Sequence, residues 1–432
     1  MSKKGTKGPR DEGTKGPGSG AIDRTGAPPS LSYCTNVHPG VTLEANLAQL
    51  DRHATAVRQR LGVETFPIGW WIAQPALAEL VRGQGEAGLG RLGAWFRARG
   101  LQVATINGFP YGDFHERVVK HRVYLPDWSM PERGAYTRAL AELLVALRPD
   151  AEHLSISTLP IGWPTDPDPS AVVAASARQL VGLVEQLVVL RERSGVRVHV
   201  DLEPEPGCLL QRSADVVSFF ADHLLPAAER RGVEPKIVRD HVGVCHDVCH
   251  AAVMFEAQGS CFDTYAAAGI RVGKVQVSSA VETDFEGIGA TERSPLLERL
   301  ASFAEERYLH QTTIRVERDG APAEDRFYED LPLALASAGA DRPPHGVWRT
   351  HFHVPVFLRT LGHDPPVLGT TQGEIAAALA AVRRGNDDPT IEVETYAWGV
   401  LPTALQPDSL AEGIAEELRW VQRALADADA SP

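Results

Sequence analysis

Lysine is scarce in this sequence: beyond residue 29 only Lys120, Lys236 and Lys274 occur in a chain of 432 residues. Cysteine is scarce too. Cys34, Cys208, Cys245, Cys249 and Cys261 are odd in number and lack C-x-x-C spacing, which argues against a disulfide framework or a structural zinc cluster and fits a reducing cytoplasm. No uninterrupted apolar run reaches about 18 residues, so a membrane span is not expected, and the first residues lack the apolar stretch of a secretory signal. No G-x-G-x-x-G follows an early strand and no G-x-x-x-x-G-K-[ST] occurs, leaving dinucleotide and P-loop chemistry without support. A basic run is also missing. The formal charge is −13, and residues 1–29 hold six Lys or Arg against three Asp or Glu, so the remainder carries −16 (−13 minus +3). So acidic a body repels nucleic-acid phosphates, and polynucleotide partners are disfavoured.

Residues 1–29 are rich in Gly, Lys, Thr, Pro and Ser, have little to bury, and are expected to form a disordered tail. The whole chain is 43% apolar, and the remainder, 30–432, is long enough for one large α/β domain. Short β-type runs alternate there with longer Ala/Leu/Arg-rich amphipathic stretches, the pattern of parallel strands joined by crossover helices. Strands are expected near 31–37, 65–73, 101–107, 153–158, 196–203, 241–247, 271–278, 347–354 and 390–396. Helices are expected near 43–61, 75–99, 131–148, 170–194, 211–231, 248–268, 292–308, 324–338, 372–384 and 407–428. Nine strands exceed the eight of a (β/α)8 TIM barrel by one, so one is accessory: either 347–354 or the first.

The choice between a barrel and an open sheet rests on alternation within the strands. In Arg197-Val198-His199-Val200-Asp201-Leu202-Glu203 the polar residues face one way and the apolar ones the other. An open doubly wound sheet buries both faces against helices; a closed barrel can collect polar groups in its interior near the C-terminal mouth. The same alternation recurs in 153–157, 274–278, 349–353 and 392–396, so the (β/α)8 barrel is favoured. Long connections near 107–130, 158–170, 278–291 and 316–346 are expected to build the pocket walls at that mouth.

Several strand ends carry metal-ligand chemistry. Glu203 closes its strand before Pro204-Glu205-Pro206-Gly207; Asp247 closes the next, with His250 three positions on; Gln276, His351 or His353, and Glu394 follow. Such an O/N set suits a divalent ion such as Mn²⁺, Mg²⁺, Zn²⁺ or Co²⁺. Lys274 points into the barrel, where it either holds a substrate oxygen or phosphate or forms a structural ion pair with Asp201 or Glu203. His153 and His199 read as hydrogen-bonded core residues, and Trp70, Trp71, Trp163 and Trp398 as packing, with a ring-binding pocket as the alternative.

The segment Val242-Gly243-Val244-Cys245-His246-Asp247-Val248-Cys249-His250 resembles the signature of xylose-isomerase-like TIM barrels, a superfamily that includes sugar isomerases, epimerases and endonuclease IV. Val200–Pro204 resembles its glutamate strand and Ile391–Thr395 the strand with its last ligating glutamate. More narrowly, Ser32–His38, Asn107–Gly112, His351–Pro355 and Glu394–Trp398 resemble the EboE family of metabolite-traffic proteins, over about residues 31 to 425. The resemblance implies that Glu203, Asp247 and Glu394 are metal ligands, with His250 a ligand or substrate contact. It departs at Gln276, which stands where many relatives place a ligating histidine, so either His351 or His353 completes the shell, or the metal site is weakened or lost.

The expected function is a metal-dependent isomerase or epimerase acting on a small polyhydroxylated carbonyl compound, a sugar or cyclitol. Glu203 and Glu394 move the proton, while His250, Lys274 and His353 orient oxygens; metal ligands are drawn from Glu203, Asp247, Gln276, His353 and Glu394. The alternatives are a non-catalytic metabolite-binding or carrier protein, and an endonuclease IV-like phosphodiesterase, which the acidic body disfavours.

Overall fold

The computed structural model describes residues 1–2, 31–165, 167–286, 288–318, 320–338, 343–362 and 367–430. The expected tail, 1–29, lies outside the described residues apart from Met1 and Ser2.

In chain order the strands are β1 (Leu31–Tyr33), β2 (Phe66–Trp71), β3 (Leu101–Asn107), β4 (His153–Thr158), β5 (Arg197–Leu202), β6 (Val242–Asp247) and β7 (Val272–Val277). They continue with β8 (Val281–Asp284), β9 (Thr312–Arg318), β10 (Ala321–Tyr328), β11 (Val347–Thr350), β12 (Thr360–Leu361), β13 (Leu368–Thr370) and β14 (Thr390–Val393). Eight of them form one all-parallel sheet in the order β1-β14-β7-β6-β5-β4-β3-β2. A parallel bridge between Cys34, just past β1, and Gly69 in β2 joins the two ends, so the sheet closes into a barrel. The first strand is therefore a barrel strand. The accessory one is β11, within the expected 347–354.

The remaining six strands form an antiparallel sheet in the order β10-β9-β11-β8-β13-β12. It is inserted between β7 and β14 at the C-terminal end of the barrel, tied down by Val354 N–H donating to Ser279 O (3.0 Å) and Thr371 N–H to Ala280 O (3.0 Å). Most of this sheet departs from expectation. Connections at 278–291 and 316–346 contain β8 and β10, and the helix expected at 324–338 is replaced by β10 followed by the short helix Leu331–Ala336. The physical reason is strand pairing: Arg315 on β9 holds Asp325 on β10 through two bonds of 2.7 and 2.8 Å, a cross-strand contact that single-residue propensity does not encode.

The barrel wall follows from β5. Val198, Val200 and Leu202 join the hydrophobic core, while His199 and Asp201 on the opposite face are also buried, inside the barrel. Room for them comes from glycines on neighbouring strands. A Cβ on Gly243 would lie 2.6 Å from Asp201 Oδ1, one on Gly273 2.4 Å from it, and one on Gly69 1.2 Å from Glu392 Oε2. The polar groups admitted this way satisfy one another. Asp201 accepts from the Ser155 hydroxyl (2.6 Å) and lies 2.9 Å from His199 Nδ1, and Lys274 Nζ lies 2.6 Å from Glu392 Oε1 and 3.1 Å from Ser157 Oγ. Lys274 thus forms a buried ion pair, with Glu392 as its partner rather than Asp201 or Glu203.

Outside, helix Pro169–Ser194 starts with Pro at its first position and the Asp168 carboxylate accepting from Ala171 N–H, and stops at Gly195, whose φ of +78° suits a left-handed cap. By length and composition it could cross a membrane, yet its Leu180, Val181, Val184 and Leu187 are buried in the core of this fold. Each such residue contributes about 1.5–3 kcal/mol by leaving water.

Candidate metal centre and pocket

The strand ends bring the expected residues together. Glu203 follows β5, Asp247 ends β6 and Glu394 follows β14, and one carboxylate oxygen from each lies within 4.8 Å of the others. Local structure fixes each of them. Asp247 caps helix Val248–Val253, its Oδ1 accepting from His250 N–H (3.0 Å) and the Ser278 hydroxyl (2.7 Å). Glu394 Oε1 accepts from the amides of Asn36 (2.8 Å) and Asn107 (3.0 Å). His353 donates from Nδ1 to the Glu394 carbonyl (2.8 Å), which leaves Nε2 with its lone pair, 3.9 Å from Asp247 Oδ2. Asp247, His250 and His353 form a second group whose ligand atoms lie within 4.8 Å.

Three of these atoms have no partner. Glu203 Oε2, Asp247 Oδ2 and His353 Nε2 are buried without a hydrogen bond. Such orphaned acceptors are costly, about 1–3 kcal/mol each and more when charged, unless a cation satisfies them. The electrostatics agree. Burial raises Glu203 well above the usual carboxylate range, and Glu394 and Asp247 push it further. Glu394 is raised by burial and then by Asp247 and Glu392. For Asp247, burial acts upward but His250 and His353, with the Ser278 hydroxyl, outweigh it and hold the carboxyl low. Burial brings His353 down to about 4, against the pull of Asp247, so its ring is neutral and able to ligate at neutral pH. Three carboxylates and one neutral imidazole fit a divalent ion of the hard-to-borderline kind.

Gln276 is placed differently from a ligand. Its Oε1 accepts from the Cys245 thiol (3.4 Å) and its Nε2 has no partner, and an amide nitrogen cannot coordinate. His353, reaching in past the end of β11, is the residue whose unpartnered ring nitrogen faces Asp247. His250 Nδ1 donates to Pro204 O (3.0 Å) and lies 3.8 Å from Glu203 Oε1. Lys274 sits one layer deeper, outside the pocket lining.

Above the carboxylates lies a cavity of roughly 60 Å³, with Glu203, Glu394, His250, His351 and His353 at its floor. Its walls are Phe109, Phe114, Val119 and Tyr124 from the long 107–130 connection, with Tyr308 and Tyr396 opposite. The four tryptophans are packing: Trp70 donates to Asn46 (2.8 Å), Trp71 to Pro110 O (3.0 Å) and Trp398 to Glu417 (3.1 Å), and Trp163 stacks on Tyr124 at 5.1 Å.

Several residues of the site escaped sequence reasoning. Glu205 accepts from Tyr124 (2.7 Å) and Gln311 (2.9 Å), and a carboxylate oxygen of it lies within 4.8 Å of nitrogens of His250 and His351. The available signal was its position two residues past Glu203 in a Pro-rich turn. Asn36 and Asn107 lay within peptides already singled out, while Gln311 carried no signal.

Neither family models nor curated proteins match this sequence. Among solved structures, a D-tagatose 3-epimerase-like protein is 11% identical with a TM-score of 0.47, over 93% of this chain and 98% of that one. An IOLI protein with a bound zinc atom is 12% identical with a TM-score of 0.44, over 92% and 97%. A xylose isomerase-like TIM barrel protein from Mycobacterium smegmatis, in complex with magnesium, is 11% identical with a TM-score of 0.44, over 93% and 97%. At these identities and scores no residue role passes from them to this chain.

Proposed function

We propose that this protein is a metal-dependent isomerase or epimerase of the xylose-isomerase-like kind, acting on a small sugar or cyclitol by proton transfer next to a carbonyl. The observation that carries the reading is that carboxylate oxygens of Glu203, Asp247 and Glu394 lie within 4.8 Å of one another, while Glu203 Oε2, Asp247 Oδ2 and, 3.9 Å from the latter, His353 Nε2 are buried and unpartnered. Glu203, Asp247, His353 and Glu394 would hold the ion. When bound, a divalent ion there supplies Lewis-acid polarisation of a carbonyl oxygen.

The chain's own groups do the rest. Glu203 and Glu394 approach from strands three apart around the barrel, β5 and β14, and each keeps an oxygen free to take or return the proton on the carbon beside the carbonyl. Asn36 and Asn107 fix Glu394 in place by binding its other oxygen. Phe109, Phe114, Tyr308 and Tyr396 exclude water from the reacting carbon. The reading includes membership of the EboE family of metabolite-traffic proteins, supported by the Ser32–His38, Asn107–Gly112, His351–Pro355 and Glu394–Trp398 peptides. It also includes a cytoplasmic setting, with which five buried free cysteines agree.

The test is solvent-deuterium incorporation into candidate ketoses and cyclitol ketones by the metal-loaded protein, alongside Glu203→Gln. Exchange that falls about 10²–10⁴-fold in the variant supports the reading. A ligand bound stoichiometrically with no exchange would replace it with the carrier reading.

A further inference from the structure

Beside the carboxylate cluster two imidazoles meet in an arrangement that neutral rings do not tolerate. His250 Nδ1 lies 3.0 Å from the Pro204 carbonyl, which can only accept, so Nδ1 carries the hydrogen and Nε2 of the neutral ring presents the lone pair. His351 Nδ1 lies 2.7 Å from Gln311 Oε1. The orientation of that amide is fixed, because its Nε2 donates to Glu205 Oε1 (2.9 Å) and to the Pro206 carbonyl (3.2 Å), neither of which can donate. His351 therefore also presents a lone pair at Nε2. The two Nε2 atoms are 3.2 Å apart, on rings inclined at 81° to each other and both buried. The Tyr396 hydroxyl, 3.3 Å from His351 Nε2, can serve one of them only. Two facing lone pairs at this distance need a cation between them, either a metal ion or the extra proton of one ring, and the third group beside them favours the metal.

A metal ion meets the geometry. Two imidazole nitrogens, each about 2.0–2.1 Å from a tetrahedral ion, are separated by about 3.3 Å. A carboxylate oxygen of Glu205 lies within 4.8 Å of a ring nitrogen of each histidine. Tyr124 and Gln311 bind Glu205 Oε1, and Gln311 binds His351, so a single amide orients two of the three ligands. We infer that Glu205, His250 and His351 form a second metal site, separate from the carboxylate cluster, which takes a borderline ion such as Zn²⁺ and leaves its fourth position open to the cavity. Two imidazoles and one carboxylate make a softer set than three carboxylates and one imidazole, so the two sites select different ions. The inference goes beyond the proposed isomerase and does not rest on it.

The experiment is metal binding by full-length chelator-treated protein, titrated with Zn²⁺ alone and with Mn²⁺ alone, with bound metal counted by mass spectrometry. Two ions per chain are expected at saturating Zn²⁺. His351→Ala should lose one and keep the other; Glu203→Gln should lose the other and keep the His250–His351 ion. Gln311→Leu, which leaves all three ligands in place, should weaken the His250–His351 ion by about 10–100-fold and guards against misfolding of the first variant. A single Zn²⁺ in the wild type that Glu203→Gln removes would overturn the inference, as would two ions unaffected by His351→Ala. So would a nitrogen NMR spectrum showing a proton shared between the two rings in Zn²⁺-saturated protein. A Zn²⁺ lost in His351→Ala with no ion at the carboxylates sinks the isomerase reading alone.

Discussion

Lys274 and Glu392 show how a charge pair inside a barrel is tolerated: both are fully buried, and their contact is a short one of 2.6 Å. Burial by itself would lower the lysine, but Glu392 outweighs it and holds the ammonium charged. Removing one partner strands the other. Lys274→Met should cost about 3–5 kcal/mol, and Lys274→Met with Glu392→Leu should recover most of that, read from denaturant midpoints. A second residue-scale effect concerns Glu417, which accepts from Thr395 (2.6 Å), Val356 N–H (3.2 Å) and Trp398 (3.1 Å). Burial nonetheless pushes its carboxyl up to about 7 from 4.5. The unfolded chain releases that proton near the ordinary value while the folded chain keeps it to about 7. Its favourable contribution is therefore full below about pH 4.5 and lost as pH rises to about 7, by about 3 kcal/mol. Glu417→Gln should flatten the stability profile across that window; an unchanged slope between about pH 5 and about pH 7.5 would contradict the assignment.

Elements differed in how far local sequence described them. Most barrel strands were legible because polar and apolar residues alternate in them, as in β5, or because a helix follows directly, as after β6, where Asp247 caps Val248–Val253. The inserted sheet was not legible. Strands β8 and β9 owe their existence to β11, far along the chain, and β10, paired to β9 directly before it, has Glu324, Asp325 and Arg326 in its middle, a charge pattern equally suited to an exposed helix. The site shared the same limit. Glu203, Asp247 and Glu394 stand at strand ends, where position alone marks them, whereas the pairing of His250 with His351 depends on where the inserted sheet docks. Closure of the barrel depends on one small residue. Gly69→Ala would drive a Cβ into Glu392 and should destabilise the fold by about 1–3 kcal/mol, measurable in the same unfolding assay, while Gly182→Ala, with open space around it, should not.

Across the whole molecule, burial and mutual repulsion raise the carboxyls of Glu203 and Glu394, so an ion bound among them would couple its binding to folding. An ion that binds the folded chain alone, present at about 100 times its Kd, adds about 2.7 kcal/mol, so chelation should lower the unfolding temperature and Mn²⁺ or Zn²⁺ should restore it. Glu203→Gln should remove most of the part of that response that comes from the carboxylate site. The most direct measurement is anomalous diffraction from crystals of the protein soaked in Mn²⁺. The account predicts a peak among the carboxylates of Glu203, Asp247 and Glu394, within bonding distance of His353 Nε2. A fully soaked crystal with no peak at that position would contradict it.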